Sequence, residues 1–116
     1  MLEKTTHLVL LFDFYGELLT DRQKDIFKLY YYEDLSLGEI SDLEKISRQG
    51  VYDLLQRGEE LLTEYEHKLG LVKNFTLRQN KLKKLKKMLE LPENERSHKE
   101  CLDILDELIR GDDNAI

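Results

Sequence analysis

The sequence predicts an all-α fold, and three observations carry that prediction. Apolar residues recur every three or four positions from Leu8 to Ile109, with no strand-like alternation of any length. Helix-start signals punctuate the chain: Thr20 with Gln23, Ser36 with Glu39, Ser47, and Ser97 with Glu100. The composition, 36% charged and 41% apolar with one Pro and no Trp, fits long amphipathic helices better than sheets.

The first segment, about Lys4 to Leu18, sets Leu8, Leu11, Phe12, Tyr15, Leu18 and Leu19 on one face at helical spacing. Thr20 and Gln23 form a capping box that opens a second helix, about Asp21 to Tyr32. It offers Ile26, Phe27, Leu29 and Tyr30 to a core. Tyr31 and Tyr32 are expected to complete that core while their hydroxyls reach water or a partner. Three consecutive tyrosines also resemble a base-stacking platform, but packing is the reading preferred here.

Ser36 and Glu39 open a short third helix, about Leu37 to Leu43, with Leu37, Ile40 and Leu43 inward. Glu44-Lys45-Ile46 follows, the length of the turn in a helix-turn-helix, and Ser47 caps the next segment. The fourth helix, about Arg48 to Leu69, carries Val51, Leu55, Gly58, Leu62, Tyr65 and Leu69 as a heptad stripe that Leu54 and Leu61 widen. At about 1.5 Å per residue it would run roughly 30 Å, beyond what a three-helix core can cover. Gly58 on the stripe is expected to admit a close neighbour, and Gly70 to close the helix in a left-handed conformation.

Asn74 then caps a fifth helix, about Phe75 to Leu91, with Phe75, Leu82, Leu85, Met88 and Leu89 inward. After Pro92-Glu93-Asn94, Ser97 and Glu100 open a sixth helix to about Arg110. Its apolar side reads Cys101, Leu102, Leu105, Leu108 and Ile109, and Gly111 to Asn114 should fray. The predicted architecture is a helix-turn-helix bundle with a long fourth helix and a C-terminal helical hairpin. Residues 1–70 form the helix-turn-helix domain, and residues 71–116 form an extension packed on it.

Composition also excludes whole classes. No run of eighteen apolar residues crosses a membrane, and the apolar start is interrupted by Asp13 and Glu17 with no small-residue cleavage site. A cytoplasmic location is therefore expected. Cys101 is the single cysteine, so no intramolecular disulfide or thiolate zinc site forms, and a buried thiol is expected. His7, His67 and His98 lie in different segments without metal-ligand spacing, and the six glycines build no phosphate loop. No cofactor and no enzymatic activity are expected.

Two surfaces remain. Off the apolar stripe, Arg48, Gln49, Tyr52, Asp53 and Gln56 would face a major groove if the helix after Ser47 docked there. Arg48 would pair with guanine and Gln49 with adenine, while Lys45 and Arg57 would meet phosphate. From Glu44 to Glu60, however, three basic and four acidic residues leave −1, a weak attraction for a polyanion. The second surface is a basic block, Lys73, Arg78, Lys81, Lys83, Lys84, Lys86 and Lys87. It gives residues 73–91 a charge of +6 in a chain of net −6. That block would engage RNA phosphates or an acidic protein surface, or pair internally with the acidic last helix.

The run Leu19-Thr20-Asp21-Arg22-Gln23, then Ser36-Leu37-Gly38-Glu39-Ile40, then Ser47-Arg48-Gln49, Val51-Tyr52 and Arg57 resembles the helix-turn-helix of sigma-factor region 4. Thr20-Asp21-Arg22-Gln23, the Leu29-Tyr30-Tyr31-Tyr32 run and Ser47-Arg48-Gln49-Gly50-Val51-Tyr52-Asp53 are more closely similar to the YlxM family, over about residues 1–70. In the turn, Glu44-Lys45 stands where Gly or Asn is usual, and Gly50 replaces the usual Ala. The resemblance implies a cytoplasmic bacterial protein of the signal recognition particle pathway. It would bind that particle's GTPase, its receptor or its RNA. The sigma-like pattern implies, alternatively, a DNA-binding transcriptional regulator. The excess rod length and the heptad stripe also predict a homodimer.

Overall fold

The structure, a computed structural model, describes residues 2–111, with side chains from Lys4 onward. The fold is all-α, and no strand occurs among the described residues. The chain divides into two compact units, Met1–Gly70 and Leu71–Ile116.

The first unit holds α1 (Leu2–Tyr15), α2 (Asp21–Tyr31), α3 (Leu37–Glu44) and α4 (Arg48–Leu69). The first helix stops three residues earlier than its periodicity predicts, because Gly16–Leu18 tightens into a 3-10 turn. Gly16 is buried, and a Cβ there would stand 3.0 Å from the Phe12 ring. A side chain there would press on that ring, which would have to give by a few tenths of an ångström. The tightened turn rotates Leu18 out to solvent while Leu19 stays buried.

Two of the three predicted capping boxes close, at Thr20 and at Ser36. Gln23 N donates to Thr20 Oγ1 at 3.2 Å and Thr20 N to Gln23 Oε1 at 3.0 Å. The equivalent pair at Ser36 and Glu39 spans 3.1 and 2.9 Å. The Ser36 amide, and then its hydroxyl, hold the Glu39 carboxyl below its ordinary range. The corner between α3 and α4 lies where the turn residues place it. Lys45 adopts φ 58°, ψ 43°, and the amides of Lys45 and Ile46 both bond the Ser41 carbonyl. Ser47 Oγ then accepts from Gly50 N at 2.9 Å, capping α4.

Leu11, Tyr15, Ile26, Phe27, Ile40, Val51 and Leu62 are the most deeply buried side chains and fill the centre of this unit. Phe12 stacks on Phe27 with centroids 4.6 Å apart and planes 5° from parallel. Leu43 and Leu69, both predicted inward, face solvent because each lies in the last turn of its helix, beyond the elements that would cover it. Gly58 is buried under Leu19 and Phe27, but a Cβ there would meet them at 3.9 and 4.0 Å. That is ordinary contact, so the predicted close approach does not require the glycine.

The second unit holds α5 (Leu71–Glu90) and α6 (His98–Arg110), joined through a 3-10 turn at Glu93–Glu95. The fifth helix starts four residues before the predicted position. Gly70, at φ 64°, ends α4, and α5 begins at the next residue, leaving Asn74 inside the helix rather than capping it. Ser97 Oγ accepts from Glu100 N at 3.2 Å, one half of the predicted box. Leu85, Cys101 and Ile104 are buried between the helices, with Met88 and Leu108 partly covered. Phe75, Leu82 and Leu89 on α5, and Leu102, Leu105 and Ile109 on α6, are exposed instead of inward. Two helices in contact bury only the strip along their shared line, and these apolar arcs are wider than that strip. The expected fraying beyond Gly111 concerns residues 112–114, outside the described residues.

Candidate nucleic-acid or partner interface

The first turns of α4 are presented as a helix-turn-helix presents its second helix. The left-handed Lys45 turns the chain, Ser47 caps the new helix, and buried Val51 and Leu55 anchor its inner side. Lys45, Arg48, Gln49, Tyr52, Asp53, Gln56 and Arg57 are all exposed, so the structure brings these seven residues onto one accessible corner and helix face.

Their chemistry is largely directed inward or at one another. The Arg48 guanidinium lies back over α3, with Nε and Nη2 each 3.1 Å from where a Cβ on Gly38 would stand. Gln49 Nε2 donates to Asp53 Oδ1 at 2.9 Å, one turn along. Arg57 Nη1 stands 3.8 Å from Glu60 Oε2. Two of the side chains that would read or grip a nucleic acid thus already face carboxylates. Tyr52 presents its phenol outward between them.

The basic block is different. Lys81 Nζ pairs with Glu107 Oε2 across the hairpin at 3.3 Å, an instance of the internal pairing that the charge pattern predicts. Lys83, Lys84, Lys86 and Lys87 are exposed, and among the described residues no carboxylate lies within 4.0 Å of their ammonium groups. Lys83, Lys84 and Lys87 share one side of α5 at helical spacing, and Lys73 and Arg78 are exposed further up the helix.

Three tyrosine hydroxyls bond carboxylates within the first unit, and for Tyr31 and Tyr32 this differs from the expected outward direction. Tyr31 Oη donates to Glu59 Oε2 at 2.9 Å and Tyr32 Oη to Asp13 Oδ1 at 2.9 Å, rather than to water or a partner. Buried Tyr15 donates to Glu66 Oε1 at 2.6 Å. These bonds tie α2 to α4, α2 to α1, and α1 to α4. The available signal was the seven-residue spacing of Glu59 and Glu66, which sets both carboxylates on one side of α4. Burial, then the Asp13 hydrogen bond, pushes the Tyr32 phenol up to about 12, and burial followed by Glu59 raises Tyr31 as well.

Elsewhere on this unit, His7 and His67 line one shallow groove between α1 and α4, together with Lys4, Gln56, Glu60 and Thr63. Lys4 Nζ stands 3.8 Å from Glu59 there. No group of three or more His, Cys, Asp or Glu able to hold a metal occurs among the described residues. No described helix is long and apolar enough to cross a membrane.

A short α3, a left-handed corner and a capped α4 define a helix-turn-helix protein, an all-helical kind not usually enzymatic. The chain belongs to the UPF0122 family: residues 2–103 match the family described as "Putative helix-turn-helix protein, YlxM / p13 like". It is 52% identical over 103 residues to a UPF0122 protein of Thermoanaerobacter sp. (strain X514), covering 89% of this chain and 88% of that one. A UPF0122 protein of Caldanaerobacter subterraneus is 55% identical over 82 residues, 71% and 70% of the two chains. One from Oceanobacillus iheyensis is 53% identical over 88 residues, 76% and 84%.

Proposed function

We propose that the protein is a non-enzymatic accessory of the signal recognition particle pathway, and that it grips the particle's RNA through the basic side of α5. The helix-turn-helix serves as the scaffold. The pathway comes from the resemblance to the YlxM family. The choice of RNA, over the particle's GTPase or its receptor, rests on one observation. Lys83, Lys84, Lys86 and Lys87 are exposed without a carboxylate within 4.0 Å. Ammonium groups held free of internal partners release phosphate counterions on binding, and each contact steepens the salt dependence.

A titration against the particle's RNA, with its purified GTPase and receptor titrated separately, tests this reading. Binding should weaken steeply with salt, with a log–log slope of roughly −3 for four phosphate contacts to largely paired or single-stranded RNA. Changing Lys83, Lys84 and Lys87 to Glu should reduce RNA affinity at least tenfold. RNA binding untouched by that triple change, or no binding at low salt, ends the reading.

The second reading is a DNA-binding regulator that uses Arg48, Gln49 and Gln56. The accessibility of the first turns of α4 favours it. For duplex contact, Arg48 would leave Gly38 and Gln49 would release Asp53, and Asp53 would then face phosphate. A mobility-shift titration with Arg48→Ala as control discriminates: the substitution should abolish a base-specific shift and leave RNA binding by α5 intact.

A further inference from the structure

We infer that the exposed apolar side of the α5–α6 hairpin is the docking surface for a second copy of this chain, and that two hairpins close face to face into a four-helix bundle. Five side chains make the face. On α5, Leu82 and Leu89 are 41% and 50% exposed; on α6, Leu102, Leu105 and Ile109 are 47%, 40% and 80% exposed. Leu82 and Leu89 are seven residues apart, and 102, 105 and 109 follow the three-then-four spacing of a bundle seam.

These residues share one side of the hairpin. Leu82 and Leu89 lie about a quarter turn round α5 from the buried Leu85 and the partly covered Met88. Leu102, Leu105 and Ile109 lie about a quarter turn round α6, in the same rotational sense, from Cys101, Ile104 and Leu108. The helices run antiparallel, so equal rotations bring both sets to the same side. Lys81 pairs with Glu107, which sets Leu82 level with Leu105 and Ile109 and leaves Leu89 beside Leu102. The face is therefore continuous along the hairpin.

Size and charge select the occupant. Five such side chains expose on the order of 500 Å² of apolar surface, the upper end for an ordinary monomer. A stable interface takes about 800 Å² from each partner, so this face plus its polar rim suffices. The hairpin itself has one packed layer, Leu85, Cys101 and Ile104, and a second hairpin supplies the missing one. Over its helical span α5 carries seven basic residues against Glu90, and α6 carries four acidic against two basic. A twofold arrangement that stacks α5 on the partner's α6 joins opposite charges at every edge. An arrangement with α5 on α5 opposes +6 with +6, so the first is selected. Lys83, Lys84 and Lys87 point away from the face and stay accessible in the dimer.

This inference does not depend on the proposed function, and its test reads mass alone. At 50 µM the full chain should scatter light as twice its 13.8 kDa. Leu82→Glu with Leu105→Glu should run as a monomer with unchanged helical circular dichroism. Ile109→Asp, at the exposed end of the face, should weaken association at least tenfold and serves if the double variant loses helix. Lys83→Glu with Lys87→Glu should remain dimeric. A monomeric wild type overturns the inference, and so does a dimer that survives both the double variant and Ile109→Asp.

Discussion

The two units are built from the same element and held together differently. In the first, four helices enclose a centre, so Phe27, Ile26 and Leu11 are covered from every side, and three phenol–carboxylate bonds fix the helices in register. In the second, two helices share one strip of contact and leave leucines in water on the same rods that bury Leu85 and Ile104. Enclosure, rather than helix content or apolar count, decides what is buried. The hairpin has the sequence of a core without the neighbours to make one.

The largest test of that contrast truncates one central side chain in each unit. Phe27→Ala should cost roughly 3–5 kcal/mol, whereas Ile104→Ala should fall near the low end of its class, about 2 kcal/mol. Denaturant titration followed by circular dichroism reads both, and equal costs would break the distinction. Next comes the directional bonding. Tyr15→Phe should cost about 1.5 kcal/mol through loss of a hydrogen bond to a carboxylate.

Alkaline pH probes the other two phenols. Tyr31 and Tyr32 keep their protons in the folded state where the unfolded chain, with Tyr near its ordinary value of about 10, has lost them. The contribution of Tyr32 is intact below about pH 10 and is lost as pH rises towards about 12, and Tyr31, raised further, is lost in the same direction at higher pH. Thermal melts at pH 9 and pH 11 should show the drop, and Tyr31→Phe with Tyr32→Phe should flatten it. Smaller effects run the other way. Lys45→Gly should stabilise by about 1 kcal/mol, since a side chain in the left-handed region carries a cost that glycine escapes. Gly58→Ala should stabilise by at most about 1 kcal/mol, because the methyl meets Leu19 and Phe27 at ordinary distance while helix propensity improves. A clear loss at Gly58 would mean that the enclosed unit is packed tighter than these contacts indicate.

What was legible in the sequence follows the same division. The bounds of α4, the corner at Lys45 and both complete capping boxes could be read because each is specified by residues three or four apart. The start of α5 could not, since a left-handed Gly70 permits either a linker or an immediate new helix, and the Asn74 cap signal pointed to the former. Periodicity found the apolar arcs of α5 and α6 but could not choose between Leu82 and Leu85 for the buried strip. That choice belongs to how two rods meet. Of the candidate interface residues, exposure followed from the pattern. The turning of Arg48 onto Gly38 and the engagement of Gln49 by Asp53 are tertiary and local choices that a helical wheel leaves open.

The phenol bonds have a further consequence for α4. Among the described residues, polar ties from α1 and α2 to this helix begin at Glu59 and continue at Glu66. Ahead of Glu59, the helix is seated on α1 and α2 by apolar contact, which has no preferred direction. At the corner that leads into α4, Arg22 Nη2 of α2 reaches the Glu44 carbonyl at 3.5 Å, so the polar tie there is to the end of α3. The phenol bonds thus fix the register of α4 from its middle to its trailing turns, while Val51 and Leu55 seat its leading turns in the core.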